Sequence, residues 1–219
     1  MTYETDTKDA YRNETKANAY KNQYIQGFKW ARFTMWKQKK IIKNFLSLCN
    51  FSKNDKVLDV PCGAGYIGDL LSGIDAQITA SDISIEMMKL ADNEYPGSNF
   101  QGFLQSDITN MPLRNEEFRC SIILALMHRL PREIRKEVLT EIKRVTSEYI
   151  IISYSIESFA QKFKQTILSL FHKTYLAAPS SITTDEITHE FEEFGLKIKK
   201  QKRIIRFLSA KVVFLLEKS

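Results

Sequence analysis

Short apolar runs alternate with amphipathic stretches through most of the chain. Runs at 56–60, 77–81, 100–105, 119–124 and 148–154 have the length of strands and are bounded by polar or turn-forming residues. Between them, 65–73, 84–94 and 132–146 repeat apolar positions at helical spacing, as 157–176 and 184–194 do further on. Ser84 reads as an N-cap three residues before Met87, Pro131 suits a helix start, and Thr184 reads as a cap. This rhythm predicts βαβ units, hence a parallel sheet with helices on both faces. Two further strands, roughly 196–207 and 209–217, close the chain. Ahead of the sheet, residues 1–15 are polar, and 16–50 read as two helices broken near Gly27. Phe33, Trp36, Ile41, Ile42, Phe45 and Leu46 recur there at helical spacing. The expected division is a helical extension or lid over 1–50 and one globular unit over 51–219.

The richest stretch is Val57 to Leu71, where an apolar strand runs into a glycine turn that opens a helix. Gly63 and Gly65 let the backbone approach a ligand, because no Cβ stands in the way. A helix starting near Gly65 would aim free N–H groups at the same place. A nucleotide-type cofactor site follows. The run 78–82 then ends in Asp82, where the ribose-gripping acid of a βαβ nucleotide unit is expected. A third run closes on Ser106-Asp107-Ile108, and a fourth on Leu124-Ala125-Leu126-Met127-His128.

In these residues the chain resembles the class I S-adenosylmethionine (SAM)-dependent methyltransferases. The first motif is carried by Asp59 with Cys62, Gly63 and Gly65, the ribose-binding acid by Asp82, and the adenine-facing acid by Asp107. Phe118 to Ile123 resembles the fourth motif. Among subfamilies, the resemblance points to enzymes similar to the ubiquinone and menaquinone biosynthesis methyltransferases. It implies a Rossmann-like, doubly wound α/β fold with a seven-stranded sheet, its last strand antiparallel. It also implies SAM as cofactor, S-adenosyl-L-homocysteine as product, and no metal. The cofactor residues it implies are Asp59, Pro61, Cys62, Gly63, Gly65, Asp82, Ile83, Met87, Ser106, Asp107, Ile108, Leu124 and Ala125.

Gly63-Ala-Gly65-Tyr-Ile-Gly68 is also a literal dinucleotide fingerprint. Asp59 argues against that reading. An acid four residues before the first glycine suits the cationic amino-acid end of SAM and repels a pyrophosphate.

Methyl transfer from a sulfonium is a direct in-line displacement, so the protein mainly positions reactants and excludes water. A base is needed only if the acceptor keeps its proton at neutral pH. His128, just beyond the fourth strand, is the candidate base, and it could equally hydrogen-bond the loop before Pro131. Tyr154, at the end of the fifth strand, could contact the acceptor or simply pack. His172 reads as a helix-face residue. The family's acceptor cover corresponds to Tyr20–Trp36 and Ile156–Tyr175, both rich in aromatic residues. These would suit an apolar acceptor, or plain core packing.

Charge is unevenly placed. Lys and Arg exceed Asp and Glu by six over residues 1–50 and by seven over 195–219, whereas 51–194 carry a net −7. Basic ends can attract RNA or lipid headgroups. The basic run at 199–203 reads better as lysines that guard an edge strand. Lysines among the aromatics of 157–176 make peripheral membrane contact possible.

There is no apolar N-terminal leader and no run of membrane-spanning length. Three cysteines without metal-ligand spacing read as free thiols in a reducing, cytoplasmic setting. The glycine turn that relatives often place before the fifth strand is missing at Arg144–Glu148. After the fourth strand there is neither the Asn-Pro-Pro-Tyr tetrad of relatives that methylate base or glutamine amides nor the Pro-Cys pair of 5-methylcytosine enzymes. The expected acceptor is therefore a small or lipid-like molecule with an oxygen or nitrogen nucleophile. RNA methylation and a non-catalytic partner role are the alternatives.

Overall fold

The computed structural model describes residues 29–156, 182–205 and 211–219. A long helix α1 (Lys29–Leu48) leads into the alternating part: β1 (Lys56–Asp59), α2 (Gly68–Leu71), β2 (Gln77–Asp82), α3 (Ile85–Ala91), β3 (Phe100–Gln105) and β4 (Phe118–Ile123). Then come α4 (Arg132–Val145), β5 (Thr146–Ser155), α5 (Thr184–Glu193), β6 (Leu196–Arg203) and β7 (Lys211–Lys218). The strands form one sheet in the order β3-β2-β1-β4-β5-β7-β6. β1 to β5 pair in parallel, and β7 runs antiparallel to both β5 and β6. The expected architecture is thus present. The first of the two N-terminal helices and the helix at 157–176, with Phe159, Phe163, Phe171, His172 and Tyr175, lie outside the described residues.

The central strands are apolar on both faces because helices cover both. Along β5, Ile151 packs with Val57, Ile78 and Ile122 on one side. Ile150 and Ile152 pack with Leu58, Ile123 and Phe214 on the other, following the two-residue strand period. Helix α1 covers the first face through Ile41, Ile42, Phe45 and Leu46, whereas α4 and α5 cover the second through Val138, Leu139, Ile142, Ile187 and Phe191.

Local signals explain most boundaries. Ser84 accepts the Met87 N–H and caps α3, and Pro131 stands at the start of α4. α5 is capped by Thr183 instead of Thr184. Thr183 accepts the Glu186 N–H while Glu186 reaches back to the Thr183 N–H, a reciprocal capping box. Without the family's glycine turn, α4 passes directly into β5 at Thr146. The Thr146 hydroxyl is 2.6 Å from that of Ser121 on β4. The apolar pattern of α1 divides in space. At about 100° per residue, Ile42 falls half a turn from Phe33, so Phe33 and Trp36 face outward while Ile42 is buried. No described helix is long and apolar enough to cross a membrane.

Candidate active site

The carboxyl ends of β1 to β4 gather on one edge of the sheet. β1 ends at Asp59 and β2 at Asp82, β3 leads into Ser106 and Asp107, and β4 into Leu124 and Ala125. The strand order reverses between β1 and β4, where open α/β sheets leave a crevice.

Residues 61–67 fold as successive turns. The Gly65 N–H donates to the Cys62 carbonyl and the Gly68 N–H to the Gly65 carbonyl, both at 3.0 Å. Gly63 and Gly65 have φ of 53° and 76°. A left-handed residue cannot continue a right-handed helix, so α2 starts at Gly68 and not near Gly65 as expected. The two glycines also serve different ends. A side chain at Gly65 would start 2.5 Å from Glu94 Cβ, so this glycine lets the turn pack on the segment after α3. At Gly63 the nearest such neighbour is the Met87 terminal methyl at 3.5 Å. Cys62 is buried and its N–H continues the ladder to the Ser81 carbonyl at 2.8 Å. Burial pushes its thiol up, with the charges of Asp59 and Asp82 adding to the effect. That leaves an inert thiol. Pro61 follows a cis peptide bond and is half-buried.

Asp82 joins the turn to α3. One carboxylate oxygen accepts the Gly63 N–H at 2.8 Å, the other the Ser84 N–H at 2.9 Å. Burial raises its pKa, and the N–H donors Ser84, Gly63 and Ile83 oppose the rise. Asp59 is only 2% exposed and accepts the Tyr95 hydroxyl at 2.6 Å. Burial pushes its carboxyl up to about 7, against the Tyr95 hydrogen bond and with help from the Asp82 charge. No basic side chain among the described residues pairs with either acid. Two adjacent buried carboxyls without a cation are costly unless something cationic binds beside them.

Further along the edge, Ser106 is hydrogen-bonded to Ser81 through hydroxyls 2.7 Å apart. Its N–H reaches the Asp82 carbonyl. One Asp107 oxygen holds the Thr109 N–H and hydroxyl at 3.1 and 2.8 Å. Ile83 is half-buried and Ile108 buried. Ala125 takes φ of 57°, a conformation that costs a non-glycine residue about 1–2 kcal/mol. The Ser153 hydroxyl holds it there by accepting the Ala125 N–H at 2.9 Å.

His128 sits in a short 3-10 turn, Met127–Arg129, after this loop. Its Nδ1 is buried without a hydrogen-bond partner. Burial, then the positive charges of Arg129 and Lys211, lower its pKa to about 4. It is therefore neutral at physiological pH. Tyr154 lies inside the core instead of on the acceptor edge: it is 1% exposed and edge-on to Phe191 and Phe214. Its hydroxyl donates to Glu190 at 3.4 Å. Glu190 also accepts from Arg135, which joins α4 to α5 through a buried ion pair.

Residues 57–148 match the family model of a methyltransferase domain. The matched stretch resembles a methyltransferase domain, and the sheet around it has the fold of solved SAM-dependent methyltransferases. The magnesium protoporphyrin IX methyltransferase of Synechocystis PCC 6803, solved with bound S-adenosylhomocysteine, superposes with a TM-score of 0.81 at 15% identity, over 98% of this chain and 99% of that one. A SAM-dependent methyltransferase from Aquifex aeolicus gives 0.64 at 18% identity, over 94% and 97%. The Haloferax volcanii methyltransferase solved in complex with the Trm112 activator gives 0.65 at 13%, over 97% of both chains. No curated protein sequence matches the chain. The chemistry of this chain's donor set fits SAM: paired buried acids for a cationic end, and left-handed glycine backbone beside them.

Two residues of the methyltransferase edge escaped sequence reasoning. Tyr95 is 36 positions from Asp59, and no spacing rule connects them. Ser153 did carry a signal. It is a small hydroxyl residue directly after three buried isoleucines of β5, and buried hydroxyls need partners.

Proposed function

We propose that the chain methylates an oxygen or nitrogen nucleophile of a small-molecule or lipid-like acceptor. The observation that carries this is the cation-free acid pair Asp59 and Asp82 beside a left-handed glycine turn, at the crevice edge of the sheet. SAM supplies a methyl group already activated by its sulfonium. Asp59 and the turn at Gly63 would hold the cationic amino-acid end, Asp82 and Ile83 the ribose, and Asp107, Ile108 and Met87 the adenine. Leu124 and Ala125 would present backbone groups held in place by Ser153.

His128 would face the acceptor. A neutral imidazole that resists protonation accepts a hydrogen bond from the nucleophile more readily than it stores its proton. Its role is therefore to orient a hydroxyl, carboxyl or amine.

The likeness to a porphyrin methyltransferase over nearly the full chain supports a bulky apolar acceptor. RNA has less in its favour. On β6, Lys199 is engaged with Glu217 and Tyr149, and the strand is an exposed edge of the kind lysines protect. Screening porphyrin, quinol, phenol and RNA acceptors with methyl-labelled SAM tests the reading. Label transferred to a small apolar acceptor, and reduced in a His128→Ala variant, is the expected result. Label appearing in RNA alone would refute it.

A further inference from the structure

Tyr66 directly follows the left-handed Gly65 in the glycine turn. Its ring packs half-buried against the core, and its hydroxyl donates to the Met35 carbonyl of α1 at 2.7 Å. A mid-helix carbonyl gives one lone pair to the helix ladder, so the Tyr66 hydroxyl takes the other. One turn further along α1, the Lys39 ammonium lies 5.2 Å from the Tyr66 ring centroid and pairs with Asp69 of α2 at 2.7 Å. A hydrogen bond, a cation–π contact and an ion pair thus tie the middle of α1 to the segment after Gly65.

The direction of α1 decides what this tie controls. Leu48 leads through a short loop into the start of β1, whereas Met35 lies against the turn that leaves its end. Helix and strand therefore run antiparallel, and at 1.5 Å per residue about 20 Å of helix separates Met35 from Leu48. The turns of α1 before Met35 lie at the carboxyl edge of the sheet, the edge of Asp59 and Asp82. The core anchors of the helix, Ile41, Ile42, Phe45 and Leu46, all lie on the other side of Met35. Helix ends open more easily than helix centres, so a contact at the base of the leading turns weighs on how long they stay in place.

We propose that Tyr66 is a positioning residue that couples the cofactor turn to the leading turns of α1, so that a filled turn fixes this helix at the crevice edge and the acceptor enters second. The inference rests on SAM as the ligand of that turn. Bonds on both sides of Tyr66 hold the turn together: the Gly65 N–H to the Cys62 carbonyl, and the Gly68 N–H to the Gly65 carbonyl. Asp82 holds it at the Gly63 N–H. A ligand seated on Gly63 restrains this run of turns, and with it the ring that follows Gly65. The hydroxyl then loses less freedom on meeting Met35. Such coupling is reciprocal: whatever factor the ligand adds to the seating of α1, a seated α1 adds to the ligand's affinity.

Hydrogen exchange of the full chain, read by mass spectrometry of its peptides with and without saturating S-adenosylhomocysteine, tests this. In the wild type the ligand should slow exchange of residues 29–38 by about fivefold, the size of one net hydrogen bond. In Tyr66→Phe that slowing should be lost, calorimetric affinity for S-adenosylhomocysteine should fall by about the same factor, and exchange in β4 and β5 should not change. Lys39→Gln gives up the ion pair, keeps the hydroxyl and should retain the slowing. A purely structural Tyr66 predicts faster exchange of the helix in Tyr66→Phe by equal factors with and without ligand. That outcome would overturn the proposal, as would a slowing that survives Tyr66→Phe or one that disappears in Lys39→Gln alone. Each of these leaves the cofactor reading standing. Failure of the wild type to bind S-adenosylhomocysteine would overturn both.

Discussion

Replacing Asp59 by asparagine should stabilise the cofactor-free protein at alkaline pH while removing its affinity for SAM. The Asp59 carboxyl rises from 3.8 to about 7 in the fold, chiefly through burial. The folded protein therefore holds that proton more tightly than the unfolded chain. The resulting stabilisation is full below the unfolded value and is lost as pH rises through about 7. At about 1.4 kcal/mol per pKa unit, three units amount to about 4 kcal/mol between those limits. The amide variant has no such dependence. Its oxygen can still accept from Tyr95, but its N–H group needs a partner, at a cost of about 1–3 kcal/mol. That cost is the same at every pH, so it cancels when two conditions are compared. Relative to wild type, the variant should gain about 3 kcal/mol between about pH 5 and about pH 8. Other carboxylates, such as Asp55 and Glu141, are held below their usual range and shift stability the opposite way, but equally in both proteins. Urea unfolding followed by circular dichroism at the two pH values reads the difference, and calorimetry reads SAM affinity. A stability difference that stays constant with pH would refute the buried-acid reasoning. A variant that still binds SAM like wild type would refute the role given to the acid.

Tyr95→Phe removes a hydrogen bond to a charged group, worth about 1.5–3 kcal/mol, and so should raise Asp59 by a further one to two units, roughly. Calorimetry should then show SAM binding weakened by about tenfold at neutral pH and restored at higher pH, whereas a packing defect would weaken it equally at both. Gly65→Ala puts a methyl 2.5 Å from Glu94 Cβ at a φ of 76° and should lower the melting temperature sharply, as a thermal scan will show. Glu190→Gln leaves the buried Arg135 without its counter-charge and should cost about 3–5 kcal/mol in urea unfolding, with SAM affinity unchanged.

The fold was legible because its signals are local. Apolar runs of strand length, Ser84 as a cap and Pro131 at a helix start all act within a few residues, and each is where the pattern placed it. Errors fell where geometry beyond the pattern decides. Helical spacing shows that Phe33, Trp36 and Ile42 share a helix. Which of them meets the sheet depends on how α1 is rotated, and that is set by tertiary packing. The start of α2 was misplaced for a different reason. A glycine turn followed by apolar residues reads alike whether the helix begins at Gly65 or Gly68, and only the left-handed φ at Gly65 separates the two.

The site divides along the same line. Acids at strand ends can be counted along the chain, because a parallel sheet brings every strand's carboxyl end to one edge. That placed Asp82, and the resemblance to the methyltransferases added Asp59 and Asp107, with no knowledge of their partners. What each acid does once there depends on contacts across the fold. Asp82 spends both oxygens on backbone N–H groups, Asp107 turns to Thr109, and Asp59 faces Tyr95. Asp59 thus has one side-chain hydroxyl as donor where Asp82 has several backbone donors. It is the acid with most to gain from a cation, which agrees with its expected place at the cationic end of SAM. Its gain on binding is what the cofactor-free protein forgoes in stability, so affinity for SAM and apo stability should move in opposite directions at this one position.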